Sequence, residues 1–261
     1  MNKIFLLAAA SLLALSTAAH ADAFVNGGFE AGDSSGWTTG TGYRGNVSNP
    51  NLHPSDVLPG GSLYNSGLNH SSIISTGTVD PSVGAALGST VYSGNYSWRV
   101  EDTTIGGYAS AISQTVLNYT DPSIFFAWKA VLEGAHGVTD AATMIIQLID
   151  LTDNKTLISR EYNAASGGGG VDPRFSSANG FFYTPDWQIE QLNIDASLSG
   201  HDFLLAVLGA DCEPTGHSGY VYLDGFGNAP PPPGVPEPAT LGLLGVGLAG
   251  VLGLRRRRKA G

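Results

Sequence analysis

The chain has 261 residues with 22 acidic against 12 basic side chains, 36 glycines and a single cysteine. A formal charge of −10 excludes nucleic acid as a partner, because a net negative field repels a phosphate backbone. The lone Cys212 excludes an intramolecular disulfide framework; it is either buried or bridges to another chain.

In chain order, Lys3 precedes an apolar run over 4–15 that ends at Ala19-His20-Ala21. A basic start, a short hydrophobic region and a small-x-small site predict a signal peptide over 1–21, read by the Sec export machinery. Cleavage falls between Ala21 and Asp22, with Ala21-Asp22-Ala23 as a second frame; the other reading is a retained N-terminal membrane helix. Residues 22–254 keep every acid and only 6 basic residues, so that stretch carries −16 and attracts divalent cations.

Residues 22–229 suffice for one folded ectodomain. Glycine, Ser, Thr, Asn and Tyr are abundant, and the helix formers Lys, Glu and Met are scarce, which favours an all-β fold. Strand-like runs are predicted at 24–25, 96–100, 109–117, 124–132, 144–151, 156–162, 187–194, 203–208 and 219–226. The run at 144–151 is apolar nearly throughout and reads as a buried strand. Thr152-Asp153-Asn154-Lys155 turns it into the next run as a hairpin. Such a series predicts a single β-sandwich of jelly-roll type. Residues 38–88 carry only weak apolar spacing and read as excursions from the sandwich or a mobile binding loop. Gly167 to Gly170 read as a loop tip, and 230–234 as a stiff Pro-rich linker.

The chain closes with Val235-Pro236-Glu237-Pro238-Ala239, an uncharged run over 239–254, and the cluster Arg255, Arg256, Arg257, Arg258 and Lys259. Sixteen helical residues extend roughly 24 Å, a little short of a hydrocarbon core, with the basic cluster on the cytoplasmic side. A buried glycine-rich core helix with a solvated basic tail is the other reading. The three-part pattern over 235–261 resembles the PEP-CTERM sorting signal of Gram-negative bacteria. That resemblance implies recognition of Pro236, Glu237 and Pro238 by an exosortase, a transient membrane anchor, and delivery to the envelope or cell surface, often beside exopolysaccharide.

The ectodomain has resemblances of its own. Asn26-Gly27-Gly28-Phe29-Glu30 with Gly36-Trp37, then the run 94–100, then Tyr220 to Phe226 resemble the first, a middle and the closing strand of galactose-binding-like jelly rolls, many of them carbohydrate-binding modules. The resemblance implies adjacent first and last strands joined by a structural calcium, here at Glu30 and Asp224. Calcium takes six to eight oxygens at about 2.3–2.6 Å, which two carboxylates and main-chain carbonyls would supply. Otherwise the two carboxylates cap turns. The segment from Asp211 to Gly225 also resembles the end of an exported PEP-CTERM domain of no assigned activity.

Asp211, Cys212, Glu213 and His217 are ligand types, but zinc wants three or four donors, and one Cys with one His leaves the set short. The loop is therefore expected to be held by hydrogen bonds, with His217 donating to a carboxylate. Gly40-x-Gly42-x-x-Gly45 lacks the strand and helix of a dinucleotide loop, and Gly216-His217-Ser218-Gly219-Tyr220 is not a nucleophile elbow. Sugars stack on aromatic rings beside hydrogen-bonding side chains, which nominates Trp37, Tyr43, Tyr64, Trp98, Trp128 and Trp187. Trp98 and Trp128 suit the core better; Tyr43 and Tyr64 are the expected ligand contacts. The expectation is a non-catalytic exported surface or matrix protein, the alternatives being a glycan-binding module for exopolysaccharide or a polysaccharide-active enzyme.

Overall fold

The computed structural model describes residues 24–165 and 172–227. The signal peptide, the loop tip at 167–170, the linker, the sorting motif, the apolar run and the basic cluster lie outside the described residues. Among the described residues no helix is long and apolar enough to cross a membrane.

Two antiparallel sheets face each other. The first has the order β1 (Thr38–Tyr43), β4 (Tyr108–Tyr119), β11 (His201–Ala210), β6 (Thr143–Asp150), β7 (Lys155–Asn163). The second runs β2 (Ser72–Ser75), β3 (Tyr96–Val100), β12 (Gly219–Gly227), β5 (Ser123–Glu133), β9 (Phe181–Tyr183), β8 (Ser176–Ala178). The long β5 has two partners on its far side: Ser123 to Trp128 pair with β10 (Gln188–Asn193), and Val131 to Glu133 with β9. The all-β sandwich expected from composition is therefore present.

Alternation decides which side chains meet between the sheets. Ile124, Phe126, Trp128, Ala130 and Leu132 of β5 face Met144, Ile146 and Leu148 of β6 and Phe203, Leu205 and Val207 of β11 across one core. Both outer faces are also covered. Leu52, Val57 and Leu63, from the segment after β1, pack on Ala109, Ala111, Ile145, Leu208 and Ala210. Val83 and Leu87 pack on Val131, Tyr220 and Tyr222 of the other sheet. Burial on both faces explains why the run at 144–151, which is β6 within a residue, is apolar nearly throughout.

Two stretches differ from expectation. Residues 24–25 form no strand: Val25 donates to and accepts from the Gln114 side chain at 2.8 and 2.9 Å, so one amide of β4 replaces a strand partner. Positive φ at Asn26 (52°) and Phe29 (56°) then turns the chain away. The segment still lies against the closing strand. Phe226 N donates to Gly27 O at 3.1 Å, and a Cβ on Gly27 would stand 2.1 Å from Phe226 O. Residues 38–88, read as excursions from the sandwich or a mobile binding loop, contain sheet strands β1 and β2 as well as excursions, the short helix α1 (Pro54–Val57) and two 3-10 turns among them. Gly40 and Gly42 hide β1, because each packs directly on a neighbouring backbone, at Val57–Leu58 and at Leu63.

Candidate functional site

Glu30 and Asp224 come together at Gly28, whose Cβ would lie 3.7 Å from Asp224 Oδ1 and from Glu30 Cγ. Asp224 is fully buried and accepts N–H bonds from Tyr92 (2.8 Å), Ser93 (3.1 Å) and Gly225 (2.7 Å). Glu30 accepts from Asn95 N, Asn95 Nδ2 and Tyr96 N at 2.9–3.1 Å. Burial pushes the Asp224 carboxyl up to about 7 against those donors. Both carboxylates thus order one turn, 92–96, between the closing strand and β3.

The lateral edge where β1 of one sheet approaches β2 and β3 of the other carries a half-open cavity of about 190 Å³. Its walls are Ser34, Thr39, Gly40 and Thr41 on one side, Tyr64, Leu68, Asn69 and Ser71 on another, and Trp98 beneath. Hydroxyl and amide groups therefore mix with two aromatic rings. Trp98 is 7% exposed and its indole N–H, itself buried, has no partner. Tyr64, nominated from sequence, lines this cavity; Gly42 and Tyr64 form an isolated β-bridge that holds it there. Tyr43 is half-exposed outside the cavity walls, edge-on to Tyr108 at 6.3 Å.

Beside the cavity lies a buried acidic group. Glu101 is wholly buried, accepts from Ser110 Oγ at 2.7 Å and pairs with His70 Nδ1 at 2.8 Å. Burial pushes Glu101 up, and its hydrogen bond pushes His70 up. Asp211, also buried, accepts from Tyr108 N at 3.1 Å and is pushed up to about 8 by burial and the nearby Glu101 charge. The buried Arg44 donates to Asp211 O at 2.7 Å, to Val47 O and to Asn49 Oδ1, tying the outer cover to the end of β11.

The opposite edge is closed. Arg160 of β7 reaches Glu190 of β10 at 3.2 Å. The Arg174 guanidinium lies 5.4 Å from the Trp128 ring centre and 5.0 Å from that of Tyr162. Trp128 is fully buried, as the core reading required. Trp37 packs on Phe226 at 4.7 Å, and the Trp187 indole donates to Ser89 O at 3.1 Å. Neither lines the cavity.

One expectation fails: among the described residues no carboxylate is hydrogen-bonded to the His217 ring. Its Nδ1 lies 3.1 Å from His136 Nε2 and 3.5 Å from Cys212 Sγ. His136 had no sequence signal at all, since 81 residues separate the two histidines and no motif spacing joins them.

Residues 234–258 match the PEP-CTERM protein-sorting motif, the address of an exported protein sorted to the cell envelope. No curated protein matches the chain. Among solved structures, TmCBM61 in complex with beta-1,4-galactotriose is similar at 12% identity and a TM-score of 0.42, over 79% of this chain and 97% of that one. CBM28, a non-crystalline cellulose specific carbohydrate-binding module, is similar at 13% and 0.37, over 77% and 92%. The enzymatically active domain of tailspike protein 4 from bacteriophage CBA120 is similar at 11% and 0.36, over 79% of this chain and 21% of that one.

Proposed function

We propose that this is a non-catalytic protein of the cell surface or extracellular matrix that holds a sugar unit of a surface polysaccharide in the cavity between β1, Tyr64 and Trp98. The observation that carries this reading is the lining itself. Tyr64 would offer its ring to the apolar side of a sugar above the partly covered Trp98, whose indole N–H is unpartnered, while Ser34, Thr39 and Asn69 offer partners for its hydroxyls. A volume of about 190 Å³ is below the roughly 300–1,000 Å³ of pockets for drug-sized ligands, which suits one ring or a chain end. The nine lining residues include no Asp, Glu or His, whereas glycoside hydrolysis needs two facing carboxylates.

Two further parts of the reading concern delivery and rigidity. An exosortase would process the chain at Pro236-Glu237-Pro238, which leaves a truncated C-terminus on mature protein; an intact tail, read by mass spectrometry in cells with active exosortase, overturns that part. Calcium at Glu30 and Asp224 would add to the amide bonds that already order the 92–96 turn, with main-chain oxygens completing its shell. A rise in unfolding temperature with calcium that chelator reverses and Asp224→Asn abolishes is the expected result.

The binding test is a titration of the full chain against a panel of soluble polysaccharides, including the host's own, with calcium and with chelator. Saturable binding to one glycan class, weakened about tenfold by Tyr64→Ala, is expected, since an aromatic stacking contact contributes roughly 0.5–1.5 kcal/mol beyond its buried area and tenfold corresponds to about 1.4 kcal/mol. Equal binding by the variant, or none to any glycan, removes the cavity from the reading.

A further inference from the structure

Away from the cavity, the loop after β11 and the turn after β5 meet. Glu213 N donates to Asp140 O at 2.8 Å, which joins them. The loop closes on itself through Cys212 N to His217 O at 2.8 Å, and it wraps the cysteine sulfur. Gly216 N and His217 N both donate to Cys212 Sγ at 3.2 Å, so the sulfur is held as an acceptor. From the turn, His136 adopts φ 65° and presents Nε2 to the same place.

The three donor atoms, two imidazole nitrogens and one sulfur, lie within 4.8 Å of one another. Tetrahedral zinc geometry, with Zn–N of about 2.0–2.1 Å and Zn–S of about 2.3 Å, sets ligand nitrogens roughly 3.3 Å apart and nitrogen and sulfur roughly 3.5 Å apart. The separations here are 3.1 Å between His136 Nε2 and His217 Nδ1 and 3.5 Å between His217 Nδ1 and Cys212 Sγ. A histidine–histidine hydrogen bond accounts for the first distance alone. The amides of 216 and 217 bring the sulfur to the same Nδ1, whose single in-plane direction serves only one of the two partners. A cation shared by all three satisfies both.

We propose that His136, Cys212 and His217 bind one divalent transition-metal ion of the zinc class, with the fourth position left to water. Imidazole and thiolate together favour zinc-type ions over calcium or magnesium, which take oxygen donors. Cys212 is fully buried and both histidines are half-buried, so the ion sits at the surface with its sulfur side inward. The strong negative charge of residues 22–254 raises the local concentration of any divalent cation. A bound ion pins the 136–140 turn to the 212–217 loop.

The test loads the chelator-treated full chain with Co²⁺, a spectroscopic substitute for Zn²⁺. One equivalent should give tetrahedral ligand-field bands in the visible and a thiolate-to-cobalt charge-transfer band, and Zn²⁺ should displace both. Cys212→Ser should abolish the charge-transfer band, and His136→Ala, at a half-buried position, should weaken binding at least about tenfold, a change of about 1.4 kcal/mol. Circular dichroism of each metal-free variant separates ligand loss from misfolding. Absence of a charge-transfer band in the wild-type chain, or equal affinity in a folded His136→Ala variant, overturns the proposal.

Discussion

The two lateral edges of the sandwich solve the same problem differently. Where β7 meets β10, long cationic side chains close the gap: Arg160 spans to Glu190, and Arg174 covers Trp128 and Tyr162. Where β1 meets β2 and β3, the side chains are Thr, Ser, Gly and Asn, and a cavity is left over Trp98. Short polar residues cannot bridge the distance that arginines bridge; Thr41 and Ser71 bond inward, to Ser110 and to Glu101 N, and Ser34, Thr39 and Asn69 line the space that is left. An edge that is filled contributes to stability; an edge that is lined but unfilled can take a ligand.

The largest test of that contrast is Trp128→Ala, which removes a wholly buried ring and the surface on which Arg174 rests. It should cost about 3–5 kcal/mol in chemical denaturation, and a value near 1 would mean the closed edge collapses readily. On the cavity side, Gln114→Ala frees Val25 N–H, Val25 O and Gly36 O together. About 2–3 kcal/mol is expected, and proteolysis near residues 24–37 should accelerate; an unchanged cleavage rate would show that the aromatic contacts of Trp37 suffice.

Next in size is a pH effect beside the cavity. Burial raises Glu101, and Glu101 raises His70, so the native state holds protons that the unfolded chain releases. For both groups the stabilisation is present below the unfolded value and lost as pH rises through the raised native value. The unfolding temperature should therefore fall as pH rises above the ordinary carboxyl and imidazole values of about 4.3 and about 6.5, and Glu101→Gln should flatten that fall. Parallel profiles for the two proteins would refute the assignment. The smallest effect belongs to Arg160→Ala: its side chain is 42% exposed, and an ion pair of that kind is worth at most about 1 kcal/mol. A larger loss would make the pair, rather than the tryptophan, the closing element.

Much of the sandwich was legible because alternation and apolar content survive in sequence. The run at 96–100 coincides with β3, and the runs at 124–132, 156–162 and 219–226 each lie within a residue of β5, β7 and β12. What escaped was written in contacts instead. β1 has no apolar stripe, since Gly40 and Gly42 are there to let backbone approach backbone. Residues 24–25 have strand composition, but their hydrogen bonds go to the Gln114 side chain. At the candidate site Tyr64 was readable as an aromatic in a polar stretch, and Tyr43, chosen on the same grounds, stands outside the cavity. His136 was unreadable, because its relation to Cys212 and His217 exists only once β5 and β11 are folded.

The closing strand has a mechanical consequence. β12 lies in the interior of its sheet, bonded to β3 on one flank and β5 on the other, and it ends at Gly227, just ahead of the tail that carries the sorting motif. A drag force transmitted along that tail enters the molecule through a strand gripped on both sides. The ladders would then have to slide as a whole instead of parting one bond at a time, so a pull on that tail would load β12 in shear.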